Sequence, residues 1–172
     1  MTIERSDRSF GARRIAATAR RLLQASTLCT IATVTPRGTA HANTAYFAWS
    51  QNFELVWLSE PRATHSRNLR ANASAAIAVY DSSQTWGDPD RGIQLFGMAR
   101  ETSDDAAAEA WTHYVKRFPR FADSDLEAYR FYTFRPRRLK LFDERTLAPA
   151  TFVTARVDPG GALAWARTEI YR

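Results

Sequence analysis

The chain has 172 residues, a formal net charge of +6 and a single cysteine. A chain of this length fits one domain over residues 1–172 whose core needs no metal, and one cysteine excludes an internal disulfide framework. Apolar runs fall short of the ~20 residues that span a membrane, and the charged N-terminus is not a signal peptide. We therefore expect a cytoplasmic protein without a membrane partner. Its arginines are spread along the sequence, which disfavours nucleic acid as a partner.

The first third of the sequence predicts one helix followed by three strands. Residues 1–9 are polar and are predicted to form a mobile tail. Apolar residues then recur at helical spacing from Gly11 to Ala25, which predicts an amphipathic helix. Stretches rich in β-branched and aromatic residues, separated by turn residues, predict a three-stranded meander over residues 27–34, 39–49 and 53–59.

The remainder predicts two more helices among further strands. A short helix is expected at 63–71 after Pro61, and a second helix begins at Ser103 and ends before Pro119. Gly97 is expected to mark a bulge, and the turn at 158–161 should join the last two strands. The predicted strands cover residues 74–81, 91–101, 130–134, 137–142, 151–157 and 162–168. Many short antiparallel strands with few helices favour a mainly β, α+β fold built on a small barrel.

Common catalytic and metal-binding patterns do not fit this sequence. His41, His65 and His113 lack metal-ligand spacing, so no metal site is expected. Cys29 lies in an apolar strand, where a buried thiol is the expected state. Nucleotide-binding glycine signatures and the nucleophile-elbow motif are missing from the sequence. No residue is therefore assigned as a catalytic acid, base or nucleophile.

The segment from Ser59 to Asn72 is the strongest candidate for a binding site. A strand ends there and a short helix begins, and the free N–H groups at a helix start bind anions such as phosphate. The alternative is a surface helix that is capped by its own polar residues. Hydroxyl, amide and charged groups accompany the helix start: Ser59, Arg62, Thr64, His65, Ser66, Arg67 and Asn68.

Three stretches resemble the pyridoxamine 5'-phosphate oxidase-like, FMN-binding split-barrel superfamily. They are IATVTPRGTAHANTAYFAW, LSEPRATHSRNLRANASAAIAVY and RGIQLFGMARE, in this order and spacing. The resemblance covers residues 32–101. Two later stretches, YVKRFPRF and FYTFRPRRLKLFDE, are similar to a branch of small bacterial split-barrel proteins that differs from the vitamin B6 oxidase itself.

The resemblance implies a six-stranded antiparallel split β-barrel with helices, assembled as a homodimer with two flavins in clefts between subunits. It places Asn43, Thr44, Ala45 and Tyr46 along the flavin ring and ribityl chain. Ser59, Thr64 and His65 would face the phosphate, with Ser66 and Asn68 beside them. Arg91 and Gln94 would approach from the strand after the loop, and Trp165 and Arg167 would close the site.

The sequence also departs from the oxidases of this superfamily. Ala63, Thr64 and His65 stand where the oxidases have serine, arginine and lysine, and Asn43 replaces an arginine. Fewer permanent charges predict weaker FMN binding. Ala48 replaces the lysine that binds the substrate phosphate, which disfavours vitamin B6 oxidation. A helix histidine followed by Asn-Leu also occurs in haem-associated split-barrel relatives.

The sequence thus predicts an FMN-dependent oxidoreductase that acts on a small organic substrate. The flavin would carry the electron or hydride chemistry, and the protein would bind and orient it. Tyr46, His65 and Trp86 are predicted to line the cleft. Two alternatives stay open: a reductase that uses a deazaflavin coenzyme, and a non-catalytic protein that binds flavin or haem.

Overall fold

A computed structural model describes residues 2–121 and 126–172 of the chain. Within these ranges it contains three α-helices: α1 (Ala12–Gln24), α2 (Thr64–Ala71) and α3 (Asp104–Arg117), the last followed by a 3₁₀ turn at Pro119–Phe121. The ten strands are β1 (Ile3–Ser6), β2 (Leu28–Val34), β3 (Ala40–Tyr46), β4 (Ala48–Trp49), β5 (Leu55–Ser59), β6 (Ser74–Tyr80), β7 (Arg91–Glu101), β8 (Arg130–Asp143), β9 (Thr151–Val157) and β10 (Leu163–Tyr171). The predicted mainly β class with helices is confirmed.

The strands form one antiparallel sheet with ten members, where the resemblance implies a barrel of six. Its continuous order is β1-β10-β9-β8-β7-β6-β2-β3, while β4 pairs with β5 and β5 pairs with β8. The predicted three-stranded meander is confirmed, because β3 pairs with β2, and β4, which is the end of the second predicted strand, pairs with β5. On its other edge β5 pairs with β8, where Leu55 lies opposite Phe134.

The predicted strand over 39–49 is interrupted at Phe47, which lies between β3 and β4. Phe47 is fully buried, and its backbone N–H donates to the Thr27 carbonyl at 3.2 Å. The chain bends here because β3 pairs with β2 on one side, whereas β4 pairs with β5 on the other. This bend opens the sheet between β3 and β5.

Residues 3–6 form an edge strand, although the sequence analysis assigns them to a mobile tail. Ile3 lies opposite Tyr171 and Ser6 opposite Thr168 in the β1–β10 ladder. The four residues are mostly exposed, so they carry little of the hydrophobic pattern by which a strand is recognised in sequence. Backbone pairing with β10 orders them instead.

The strands predicted over 130–134 and 137–142 are a single strand, β8, which continues through Pro136. The predicted bulge at Gly97 explains why, because the β7–β8 register shifts between Phe96 and Gly97, and Gly97 lies opposite Pro136. Proline has no N–H for a sheet ladder and is tolerated at such irregularities. A Cβ at Gly97 would lie 2.1 Å from the Arg135 carbonyl oxygen, so only glycine fits.

The main core lies between the sheet and α1. This helix packs against β6, β7, β8 and β10. Ile15, Ala19 and Leu23 of α1 are fully buried, and Leu22 is nearly so. Trp57 and Tyr132 stack inside the same core, with ring centroids 5.8 Å apart. Their aliphatic and aromatic burial supplies the main driving force for folding.

A smaller cluster lies under α3, which packs against β4, β5 and β8. Its buried members are Ala48, Val56, Ala110 and Tyr114, and aromatic side chains surround them at partial exposure. The helices within residues 2–121 and 126–172 lack the length and apolar character needed to cross a membrane.

Candidate functional site

A cleft of about 540 Å³ opens where the sheet bends between β3 and β5. This volume is in the range of small-molecule binding sites. Residues from β3, the end of β5, the start of α2 and the region after α3 form its walls. The lining residues are Asn43, Thr44, Ala45, Tyr46, Leu58, Ser59, Glu60, Ala63, His65, Tyr114, Phe121, Leu126 and Tyr129.

Six of the predicted binding residues meet in this cleft. Asn43, Thr44, Ala45 and Tyr46 come from β3, Ser59 is the last residue of β5, and His65 is the second residue of α2. These residues are up to 22 positions apart in the sequence. Their convergence follows from the bend at Phe47, which turns β3 toward the junction of β5 and α2.

The polar end of the cleft is the N-terminus of α2. The N-cap residue is Ala63, whose methyl group cannot accept a hydrogen bond, and no side chain caps the helix. The N–H groups of the first helical turn have no intrahelical partner and carry the positive end of the helix dipole. This end of the cleft can therefore accept an anionic group.

His65 lies at this polar end with 5% of its surface exposed. Its Nε2 is buried and finds no hydrogen-bond partner in the part of the chain that the structure describes. Burial lowers the pKa of His65 below its usual range, and the nearby His41 imidazole lowers it further. The imidazole is thus neutral at neutral pH, and one of its nitrogens lacks a hydrogen-bond partner beside the cleft.

Two predicted residues, Ser66 and Asn68, lie beneath the cleft instead of lining it. The Ser66 hydroxyl donates to the Ser59 hydroxyl at 3.2 Å. The Asn68 amide donates to the Thr33 hydroxyl of β2 at 3.0 Å. Both residues are buried, so they hold α2 against β5 and β2 and orient Ser59.

Thr64 faces away from the cleft. It is exposed, and its hydroxyl accepts a hydrogen bond from Arg67 at 3.5 Å. The first residue of α2 points outward because its neighbour His65 points inward, and successive helical residues diverge by about 100°. Thr64 therefore does not line this cleft, and its contact with a cofactor phosphate stays a prediction.

The four predicted residues of β7 and β10 also do not line the cleft. Arg91 pairs with Asp81 at 3.2 Å, and Arg167 pairs with Glu169 at 3.2 Å. Gln94 is exposed on β7 and lies opposite Lys140 of β8. Trp165 packs against the main core and donates to the Thr168 hydroxyl. Trp86, a predicted lining residue, is 99% exposed in the loop before β7.

The other end of the cleft is aromatic, and sequence reasoning missed it. Tyr114, Phe121 and Tyr129 line it, and the rings of Tyr114 and Phe121 meet edge to face at 5.0 Å. Burial raises the pKa of Tyr114 to about 12, so its phenol stays protonated. The helical spacing of Tyr114 was visible in the sequence. It indicated a buried face but not which strand the face would meet.

Cys29 lies outside the cleft, with 2% of its surface exposed. Burial raises the pKa of its thiol to about 12, which keeps it protonated and unreactive. Across residues 2–121 and 126–172, no three histidine, cysteine or acidic side chains lie close enough together to hold a metal ion.

Comparisons with known structures show the same fold in several proteins. A heme binding protein from Mycobacterium smegmatis is similar with a TM-score of 0.70 and 19% identity, over 85% of this chain and 59% of that one. The chain therefore spans less than two thirds of that protein. A putative pyridoxamine 5'-phosphate oxidase from Listeria innocua is similar with a TM-score of 0.59 and 14% identity, over 74% of this chain and 97% of that one.

An F420 reductase is similar with a TM-score of 0.53 and 22% identity, over 70% of this chain and 94% of that one. None of the curated proteins matches the chain. The family model described as pyridoxamine 5'-phosphate oxidase matches residues 15–143, which include the bend at Phe47, the cleft residues of β3 and the start of α2. This match spans most of the chain and shows that it belongs to the pyridoxamine 5'-phosphate oxidase-like family.

Proposed function

We propose that the protein is a flavin-dependent oxidoreductase that binds FMN in the cleft between β3 and α2 and acts on a small organic substrate. The observation that carries this proposal is the polarity of the cleft. One end offers the N-terminus of α2 and the unpartnered Nε2 of His65, and the other end offers aromatic rings. FMN has matching ends, because it joins an anionic phosphate to a flat aromatic ring system.

The residues present fit FMN at both ends. The uncapped N–H groups of α2, the Ser59 hydroxyl and His65 would hold the phosphate. Tyr114, Phe121 and Tyr129 would pack against the ring, because aromatic surfaces stack and bury large apolar areas. Bound FMN would supply the electron or hydride transfer. The chain orients it and limits access of water from the α3 side.

The electrostatics of the lining predict modest affinity. Of the described lining residues, Glu60 is the one with a permanent charge, and that charge is negative. Charge-assisted hydrogen bonds are roughly twice as strong as neutral ones, so a phosphate bound without arginine or lysine depends on the helix dipole and on protonated histidine. The oxidases of this family place permanent cations at these positions.

We further propose that six strands constitute the split barrel that the resemblance implies. If β3 and β4 are taken as one bent strand, pairing runs from β2 through β3/β4, β5, β8, β7 and β6 back to β2. The bend at Phe47 is then the split. β1, β9 and β10 extend the barrel on the β8 side. Residues 1–172 would thus form one domain.

A homodimer accounts for the outer face of this barrel. Ala42, Ala32 and Ala76 lie opposite one another across β3, β2 and β6, with Ala42 and Ala32 exposed. Gln94 lies on the same face, and register through Lys140 and Thr154 places Arg167 there as well. A partner subunit on this face would bring its Gln94 and Arg167 toward the cleft.

Light scattering tests the homodimer and should give twice the 19.5 kDa chain mass. A monomer at micromolar concentration would contradict the shared cleft.

The absorbance spectrum of the purified protein tests the cofactor. A peak at about 450 nm is expected for flavin, whereas a peak at about 420 nm indicates a deazaflavin coenzyme, and a Soret band indicates haem. Ser59→Ala should reduce FMN retention, because Ser59 lines the phosphate end. Thr64→Ala is the matched control, since Thr64 is exposed and should leave retention unchanged. A protein that takes up no flavin when FMN is added contradicts the proposal.

A non-catalytic haem-binding protein is the second candidate. Neutral imidazole is the form that binds iron, and the unpartnered Nε2 of His65 has this form at neutral pH. The fold is also that of the heme binding protein from Mycobacterium smegmatis. A Soret band that disappears in His65→Gln would replace the flavin proposal with this one. The buried, unpaired Cys29 fits the cytoplasmic location that we propose for either function.

A further inference from the structure

His41 lies beside the phosphate end of the cleft, although sequence spacing gives it no role. It belongs to β3, where half-buried residues alternate with exposed ones, and it shares the inward side with Asn43. It lies opposite Thr33 of β2, whose hydroxyl accepts the hydrogen bond from Asn68 of α2. Asn68 is one helical turn after His65. The hydrogen bond between Asn68 and Thr33 thus places His41 of β3 and His65 of α2 on the same side of the sheet, next to each other.

Both imidazoles present a buried nitrogen that has no partner in the described part of the chain. These atoms are Nδ1 of His41 and Nε2 of His65. A buried polar atom without a hydrogen bond is unfavourable, and a ligand that pairs with both nitrogens would remove this cost at one place. The uncapped start of α2 is the third polar feature at this point. Its donors and dipole select an anion over a cation.

The other titratable and charged groups near the two imidazoles either have partners of their own or are uncharged or negative. The imidazoles are therefore the groups that can gain positive charge when an anion binds. Glu60 lines the cleft before α2. On α2, Arg67 donates to Thr64, and Arg70 donates to the Pro61 carbonyl. From the sheet, Cys29 of β2 is a protonated thiol. The Tyr132 hydroxyl of β8 donates to the Glu101 carboxylate of β7 at 3.3 Å.

We propose that His41 and His65 form a two-imidazole site for a tetrahedral dianion, and that each imidazole takes up a proton when the anion binds. Under the proposed function, on which this assignment of the ligand rests, the dianion is the phosphate of FMN. The pair would replace the permanent cations that the oxidases of this family use. Binding is therefore coupled to pH in this chain.

The direction of the coupling follows from the two states of the site. Without a ligand, burial and the neighbouring His41 keep the pKa of His65 low and its imidazole neutral. A bound dianion favours the protonated imidazoles. Anion affinity is therefore highest at low pH and falls as pH rises, by up to about tenfold per pH unit for each proton taken up.

The test uses sulfate, which stays a dianion across the titration range of histidine. The imidazole resonances of the intact protein are followed by NMR at a constant pH of about 6.5, where histidine ordinarily titrates. Sulfate should move His41 and His65 together toward their protonated positions with one binding curve. His113 on α3, which contacts Glu109 at 3.5 Å, is the internal control and should not move. A response of His65 alone, or of neither imidazole, overturns the proposal.

Flavin titrations separate this proposal from the proposed function. FMN affinity should fall at least tenfold between about pH 6 and about pH 8, whereas riboflavin, which lacks the phosphate, should show no such trend. His41→Gln should reduce this pH dependence, and His113→Gln should keep it. FMN binding that does not depend on pH overturns the histidine pair and leaves the flavin site standing. A paired sulfate response without any flavin uptake overturns the flavin site and supports the anion site.

Discussion

Two regions of the sheet are covered by helices, α1 and α3, that bury their surfaces to different degrees. α1 places four aliphatic residues into the main core, and each is at most 4% exposed. α3 buries Ala110 and Tyr114, but the aromatic rings of Trp111, Phe118 and Phe121 around them are only half buried. The α1 side is closed and aliphatic, and the α3 side is open and aromatic.

This difference separates stability from binding. Aliphatic side chains that are excluded from water contribute to the free energy of unfolding in proportion to the area they bury. Half-exposed aromatic rings next to a cleft retain surface that a ligand can cover. We therefore expect substitutions in α1 to change the stability of the protein and substitutions near the end of α3 to change ligand affinity.

The largest effect is expected for Leu23→Ala in α1. Leu23 is fully buried, and truncating such a leucine costs about 2–5 kcal/mol of unfolding free energy. Urea denaturation measures this loss. Leu28→Ala is the matched control, because Leu28 is 42% exposed and should lose less than about 0.5 kcal/mol. Equal losses at the two leucines would contradict the placement of α1 in the core.

The second largest effect is expected for Arg117→Met, because Arg117 connects α3 to the end of α1. The Arg117 guanidinium donates to the carbonyl oxygens of Leu23 at 2.9 Å and Ser26 at 2.5 Å, and so ties the end of α3 to the end of α1. Hydrogen bonds to a charged group contribute about 1.5–3 kcal/mol, and we expect a loss in this range on urea denaturation. Lys116→Met on the exposed side of α3 should have little effect. A loss as large for Lys116→Met would mean that charge, not the tether, is responsible.

Tyr129→Ala should change binding more than stability. Tyr129 lines the aromatic end of the cleft and is 41% exposed. Losing one stacked ring typically costs about 0.5–1.5 kcal/mol, so FMN affinity should fall by up to about tenfold. Quenching of flavin fluorescence measures the affinity. Trp86→Ala is the control, because Trp86 is exposed away from the cleft of its own chain. If only Trp86→Ala weakens binding, the cleft has been placed wrongly.

The smallest effect should be a pH dependence of stability from His65. Its pKa is lowered in the folded chain, so the unfolded chain binds the proton more readily below the ordinary value of about 6.5. The free energy of unfolding should therefore rise with pH up to this value and then level off. Urea midpoints at several pH values test this. His65→Gln should flatten the curve and His113→Gln should not; an unchanged curve in His65→Gln would place its imidazole in solvent.

Local pattern was sufficient for most elements. The bounds of β7 and β9 were predicted to the residue, because turn residues and proline flank each run of strand-forming residues. The hairpin turn at 158–161 is confirmed by the bond from the Gly161 N–H to the Asp158 carbonyl at 3.0 Å. The six predicted residues that meet in the cleft were named from the family resemblance and from the helix start after Ser59.

Tertiary structure decided the position of Tyr114 in the cleft and of His41 beside it, the pairing of β5 with β8 and the bend at Phe47. Hydrophobic periodicity records which side of an element is buried, and it extends over a few residues. It does not record which distant surface covers that side. Residues 55 and 134 pair because two apolar strands far apart in sequence fit one another in the core. The sequence alone therefore predicted most of the elements and the start of α2 as a candidate anion site, whereas long-range packing determined which side chains surround it.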